Sequence, residues 1–173
     1  MGREVTLLFV DDEQHILNAL NRTVRGEGYR VLTSTDPESA LDIVRDEGVD
    51  IVVSDHLMPK MDGIEFLARV REIKPDTLRI ILTGHAQLDM AMDAINKGQV
   101  YKFMTKPWDD ASLRQELRMA ARILTLERRN MELQAEVARQ ARLLENLEDN
   151  YPGITEVKKD ERGRIVIDDV DED

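Results

Sequence analysis

Four apolar stretches in the amino-terminal two-thirds of the chain each run into a group capable of chemistry. LLFV ends in Asp11-Asp12, IVVS in Asp55, RIIL in Thr83, and KFMT in Lys106-Pro107. Taken singly, each has an ordinary explanation. An aspartate behind an apolar run turns the chain or caps a helix, and a threonine or a Lys-Pro pair there fills a loop. The repetition argues for a shared site holding carboxylates, a hydroxyl and an ammonium. Carboxylates gathered closely raise one another's pKa, because each disfavours the other's charge. A divalent cation relieves that cost. Oxygen ligands without His or Cys suit Mg2+, which keeps several waters and uses few carboxylates. Such a cation with one ammonium neutralises a transferring phosphoryl group. A carboxylate can itself be the nucleophile and form an acyl phosphate.

The elements around these groups alternate between two periods. Val5–Val10, Tyr29–Ser34, Asp50–Ser54, Leu78–Leu82 and Val100–Thr105 read as strands. Between them lie helical patterns over Glu13–Arg25, from Asp36-Pro37 through Asp46, over Ile64–Ile73, and through Lys97. Asp36-Pro37 is an N-cap followed by a proline in the first helical position. Fivefold alternation of this kind predicts an α/β fold, with a parallel sheet covered on both faces. Continuous apolar runs suit strands buried on both sides. In open sheets of this type, sites form outside the carboxyl ends of the strands, where these polar groups fall.

Length allows one compact domain plus an appendage in 173 residues. The chain has no cysteine, which excludes a disulfide framework and thiolate metal sites. Nothing resembles a signal peptide and no apolar run reaches the ~18 residues of a membrane span, so the expected location is cytoplasmic. A formal net charge of −11 disfavours direct binding of nucleic acid.

The pieces LLFVDDE, VVSDHLMPKMDGIEFL, IILTGHA and YKFMTKPW, in this order, resemble the receiver domain of two-component response regulators. The resemblance covers Val5 to about Ala120. It implies a flavodoxin-like five-stranded sheet of order 2-1-3-4-5, an order for which a receiver protein is a standard example. It implies that Asp55 accepts a phosphoryl group from a histidine kinase or phosphotransfer protein. Asp12 would be a direct Mg2+ ligand, Asp11 would act largely through water, and the Leu57 carbonyl would be a further ligand beside Asp55. Lys106 would bind a phosphoryl oxygen, with a cis bond to Pro107. Thr83 would turn to the phosphoryl group, and Phe103 would occupy the switch aromatic position. Gly63 would suit a turn where a side chain does not fit. Leu57 and His85 would flank the site, Tyr101 would be structural, His15 would lie on a helix surface, and His56 would point elsewhere. INKGQVYKFMTKPWDD resembles receivers found ahead of hydrogenase-type regulators and HD-GYP phosphodiesterases. Asp55 would then be a phosphoacceptor, not the nucleophile of a turnover enzyme. A haloacid-dehalogenase-type phosphatase wants its nucleophile on the first strand with an acid two residues on. Here that strand continues as Asp12-Glu13-Gln14 and the spare aspartate is on the third.

A receiver should end near Ala120, after the stripe Leu113, Leu117, Ala120 and Leu124. Here the helix opened at Asp109-Asp110 meets no Gly or Pro until Pro152. The pattern is about 40 residues long, or roughly 60 Å. Ile123, Asn130, Val137 and Leu144 fall at a positions, and Leu126, Leu133, Gln140 and Leu147 at d positions. An asparagine at an a position fixes register in a two-stranded parallel coil. Arg122 and Glu127 fall at g and e, where they could pair between chains. The expectation is a receiver over 1–120 and a parallel homodimer through a coiled coil over 121–149. The alternative is a solvated single helix laced with charge pairs. Residues 150–173 form an acidic tail in which Ile154–Lys159 and Arg164–Asp168 could pair as a hairpin. With no helix-turn-helix, nucleotide loop, HD or GGDEF motif, output is expected through an unidentified downstream protein. The other reading is a receiver fragment of a larger regulator with a cyclic-di-GMP or transcriptional effector.

Overall fold

The computed structural model describes residues 4–84, 88–97 and 99–152. The elements alternate as β1 (Val5–Val10), α1 (Gln14–Thr23), β2 (Tyr29–Ser34), α2 (Pro37–Asp46), β3 (Ile51–Asp55), α3 (Gly63–Ile73), β4 (Leu78–Thr83), α4 (Leu88–Asn96), β5 (Lys102–Thr105) and α5 (Asp110–Asn150). All strand pairs are parallel and the sheet order is β2-β1-β3-β4-β5, as expected. The shifts from the sequence reading lie at element ends. β3 takes in Asp55, β4 takes in Thr83, and β5 begins at Lys102 instead of Val100.

The unbroken apolar runs are explained by two cores, one on each face. Leu8, Val10, Val52 and Ile81 face one way and meet Ala40 and Val44 of α2 and Phe66, Leu67 and Val70 of α3. Leu7, Phe9, Ile51, Val53, Ile80 and Leu82 face the other way and meet Leu17 and Leu20 of α1 and Leu113 and Leu117 of α5. Successive strand residues point to opposite faces, so a strand covered on both sides needs apolar residues at every position. Edge strand β2 is covered less completely and carries the exposed Arg30 and Thr33.

Short polar side chains start α2, α3 and α5. Asp36 accepts from the Ser39 amide at 2.9 Å, Asp62 from Glu65 at 2.8 Å, and Asp109 from Ser112 at 2.8 Å. Each satisfies a backbone donor that the helix leaves free.

The chain divides into two compact units after Leu126. In the first, α5 buries Leu113, Leu117, Ala120 and Leu124. In the second, Leu133, Val137, Leu144 and Leu147 are 37–65% exposed. No helix among the described residues is long and apolar enough to cross a membrane. The hairpin expected in the tail lies outside the described residues, as does His85.

Candidate functional site

Register brings the strand ends to one level. Val10 pairs with Ser54, Asp55 with Leu82, and Thr83 with Thr105. The residues that end or follow these strands therefore meet. Carboxylate oxygens of Asp11, Asp12 and Asp55 lie within 4.8 Å of one another. Asp11 is fully buried, Asp55 nearly so, and Asp12 is exposed. The Lys106 Nζ sits between two of them, 2.7 Å from Asp11 Oδ2 and 2.6 Å from Asp55 Oδ1. Asp11 Oδ1 also accepts from the Glu13 amide at 2.9 Å.

This pairing is asymmetric. Burial works against the Lys106 ammonium, but hydrogen bonds to Asp11 and Asp55 and the charges of both carboxylates together outweigh it and raise its pKa. Lys106 is therefore protonated at neutral pH. Burial pushes the Asp55 carboxyl up, Lys106 pulls it back only in part, and the Asp11 charge adds to the rise. Lysine gains from two carboxylates, whereas Asp55 shares one ammonium and has lost water. One ammonium against three carboxylates leaves the cluster anionic. Its donors are all hard oxygens, a set that fits a small divalent cation.

The loop after β3 fixes Asp55. The Gly63 amide donates to the His56 carbonyl at 2.7 Å. A Cβ at Gly63 would lie 2.0 Å from the Asp55 carbonyl oxygen, so only glycine lets α3 start this close to β3. Between them Lys60 takes φ +70°, and the Met61 amide donates to the Pro59 carbonyl at 2.9 Å. Met58 and Met61 tuck into the core while Leu57 stays exposed. The Lys106–Pro107 bond is cis, as expected.

Thr83 is wholly buried, and Phe103 is half-buried against the core shared with α2 and α3. The sequence reading turned His56 away from the chemistry. In the structure it is buried beside Thr83, with Nδ1 3.3 Å from the Thr83 Oγ1. Parallel register carried the signal, since a residue one past the Asp55–Leu82 pair must stand opposite Thr83.

The family model "Response regulator receiver domain" matches residues 7–118. The hydrogenase transcriptional regulatory protein HoxA of Bradyrhizobium diazoefficiens is 32% identical over 128 residues, covering 74% of this chain and 26% of HoxA. Sporulation initiation phosphotransferase F of Bacillus subtilis is 37% identical over 108 residues, covering 62% of this chain and 86% of that protein. The signal receiver domain of an HD domain-containing protein from Pseudomonas fluorescens superposes with a TM-score of 0.67 at 36% identity, covering 71% of this chain and 98% of that one. The chain spans about a quarter of the length of the transcriptional regulators it matches.

Proposed function

The chain belongs to the response regulator receiver domain family, and from that premise we propose that Asp55 is its phosphoacceptor. The observation that carries this reading is Lys106, held by Asp11 and Asp55 together at the carboxyl edge of the sheet. An Asp55 oxygen attacks phosphorus of a phosphohistidine, or of a small phosphodonor, and the donor's leaving group departs. The Asp55 acyl phosphate that forms adds negative charge beside Lys106, which remains protonated and contacts a phosphoryl oxygen. Asp11, Asp12, Asp55 and the Leu57 carbonyl would hold Mg2+, which supplies charge neutralisation for the transferring group. Thr83 then turns its hydroxyl to the new phosphoryl oxygens and Phe103 repacks, a two-state change biased by a local charge.

Output passes through α5. The exposed Leu126, Leu133, Val137, Leu144 and Leu147 share one helical stripe with Ile123 and Asn130. We propose a second copy of this chain as the occupant of that stripe, in a parallel coil. The support is the heptad spacing and a single polar residue at an a position. The regulators it matches extend well beyond this length, which supports reading the chain as the receiver part of a longer regulator.

Two measurements test this. Incubation with Mg2+ and a small phosphodonor should add one phosphoryl group by intact mass, labile to hydroxylamine, and Asp55→Asn should add none. Modification that persists in Asp55→Asn overturns the assignment. Light scattering should give the mass of a dimer that Val137→Asp with Leu144→Asp converts to monomer. A monomer under all conditions, with and without beryllofluoride, removes the coil.

A further inference from the structure

His56 is 2% exposed, and the phosphoryl chemistry above makes no use of its side chain. Its Nδ1 is 3.3 Å from Thr83 Oγ1, and that hydroxyl is 3.2 Å from the Gly84 carbonyl oxygen. A threonine hydroxyl has a single proton. Given to the Gly84 carbonyl, it leaves Nδ1 as the donor to Oγ1. The chain of bonds then runs from the imidazole N–H to the hydroxyl oxygen, and from the hydroxyl to the backbone. Among the described residues, the hydrogen bonds of the Thr83 hydroxyl go to these two groups and none joins it to Asp55. The imidazole is aimed by a backbone held on both sides. The His56 amide donates to the Leu82 carbonyl at 2.9 Å, and its carbonyl accepts from Gly63 at 2.7 Å.

We propose that His56 is a positioning residue for Thr83. Its imidazole holds the hydroxyl in the resting orientation and sets the cost of turning it toward a phosphoryl group on Asp55. This rests on the phosphoacceptor reading above. A bond made only in the resting state must be given up on activation, so it weakens affinity for any activating group by its own worth. His56 thus acts as a brake on the switch without touching the phosphoryl group.

The test is the affinity for beryllofluoride in the presence of Mg2+, read by fluorescence of the single tryptophan, Trp108, two residues beyond Lys106. His56→Asn places an amide where Nδ1 stood, whereas His56→Gln places it near the position of Nε2. The Gln variant should bind about two- to tenfold tighter than the parent, the range set by the net worth of one hydrogen bond. The Asn variant should stay within about twofold of the parent, because it keeps that bond. In a Thr83→Val background, the difference between Gln and the parent should vanish. His56→Leu, which also cannot make the bond, replaces Gln if that chain does not fold. The parent gives a second readout through its imidazole nitrogen shifts: Nδ1 should carry a proton at rest and change on adding beryllofluoride. Equal behaviour of Asn and Gln, a Gln effect that survives Thr83→Val, or an Nδ1 without a proton overturns the positioning role. A parent that binds no beryllofluoride overturns the phosphoacceptor reading instead.

Discussion

At the amino edge of the sheet Asp50, Thr77 and Arg79 are as inaccessible to water as Asp11, Asp55 and Thr83 are at the carboxyl edge. Their partners differ. Asp50 accepts from the Thr6 amide at 2.9 Å, and the Thr77 hydroxyl donates to the Val49 carbonyl at 3.0 Å. Arg79 donates to the carbonyls of Gln99, Pro75 and Thr77. A backbone group moves only with the chain that carries it, so these partners cannot turn away as a side chain does. At the carboxyl edge Asp11 and Thr83 also have backbone partners, but further bonds join side chain to side chain, Lys106 to Asp11 and Asp55, and His56 to Thr83. Side-chain partners can be exchanged for a cation or a phosphoryl oxygen without moving a strand. Burial alone therefore does not distinguish the two edges; the kind of partner does.

The change expected to disturb this contrast most is Gly63→Val. Its Cβ would fall 2.0 Å from the Asp55 carbonyl oxygen, on backbone that cannot yield cheaply. We expect a loss of about 4 kcal/mol or more in urea unfolding, the range reached when strain is forced into packed backbone. A loss below about 1 kcal/mol would mean that the loop behind the carboxyl edge is not fixed in this way.

Lys106→Met and Arg79→Met should then separate the two edges. Removing Lys106 leaves two buried carboxylates without their ammonium, at a cost of about 3 kcal/mol. Added Mg2+ should restore most of that stability, because a cation can replace the ammonium. Removing Arg79 leaves backbone carbonyls unpaired, at about 2 kcal/mol, and Mg2+ should restore none of it. Urea titrations with chelator and with Mg2+ give both differences. Equal response to Mg2+ in the two variants would erase the distinction between the edges.

The sequence was informative where the chain repeats a simple rule. The parallel sheet and the level of the site followed from apolar runs that stop at Asp11, Asp55, Thr83 and Lys106, because two-sided burial leaves little freedom, whereas the strand order came from the resemblance to receivers. The caps at Asp36 and Asp109 were legible for the same local reason. Arg79 and His56 were not. Each is an ordinary residue by type, and its role depends on what a neighbouring strand brings alongside it. Arg79 meets the chain around Gln99, twenty residues on, and His56 meets Thr83 across β4. Such partners become visible only once the register is known.

The smallest effect, and the one of opposite sign, is expected for Asp55→Asn in metal-free buffer. Burial holds the folded-state pKa of Asp55 above its ordinary value of 3.8, ahead of the lowering by Lys106. An acid whose pKa is raised on folding binds its proton more tightly in the native state than in the unfolded one. Ionising it therefore costs native stability, and that cost grows as pH rises from 3.8 through the raised folded value. Asparagine carries no such cost. The variant should melt above the parent at pH 7, and the gap should close on acidification toward the unfolded pKa. Mg2+ should narrow the same gap at pH 7 from the other side, by stabilising the ionised parent and leaving the variant nearly unchanged. A variant that melts below the parent at pH 7 would mean that Lys106 outweighs burial at Asp55. The carboxyl edge would then be held as firmly by its side chains as the amino edge is by its backbone.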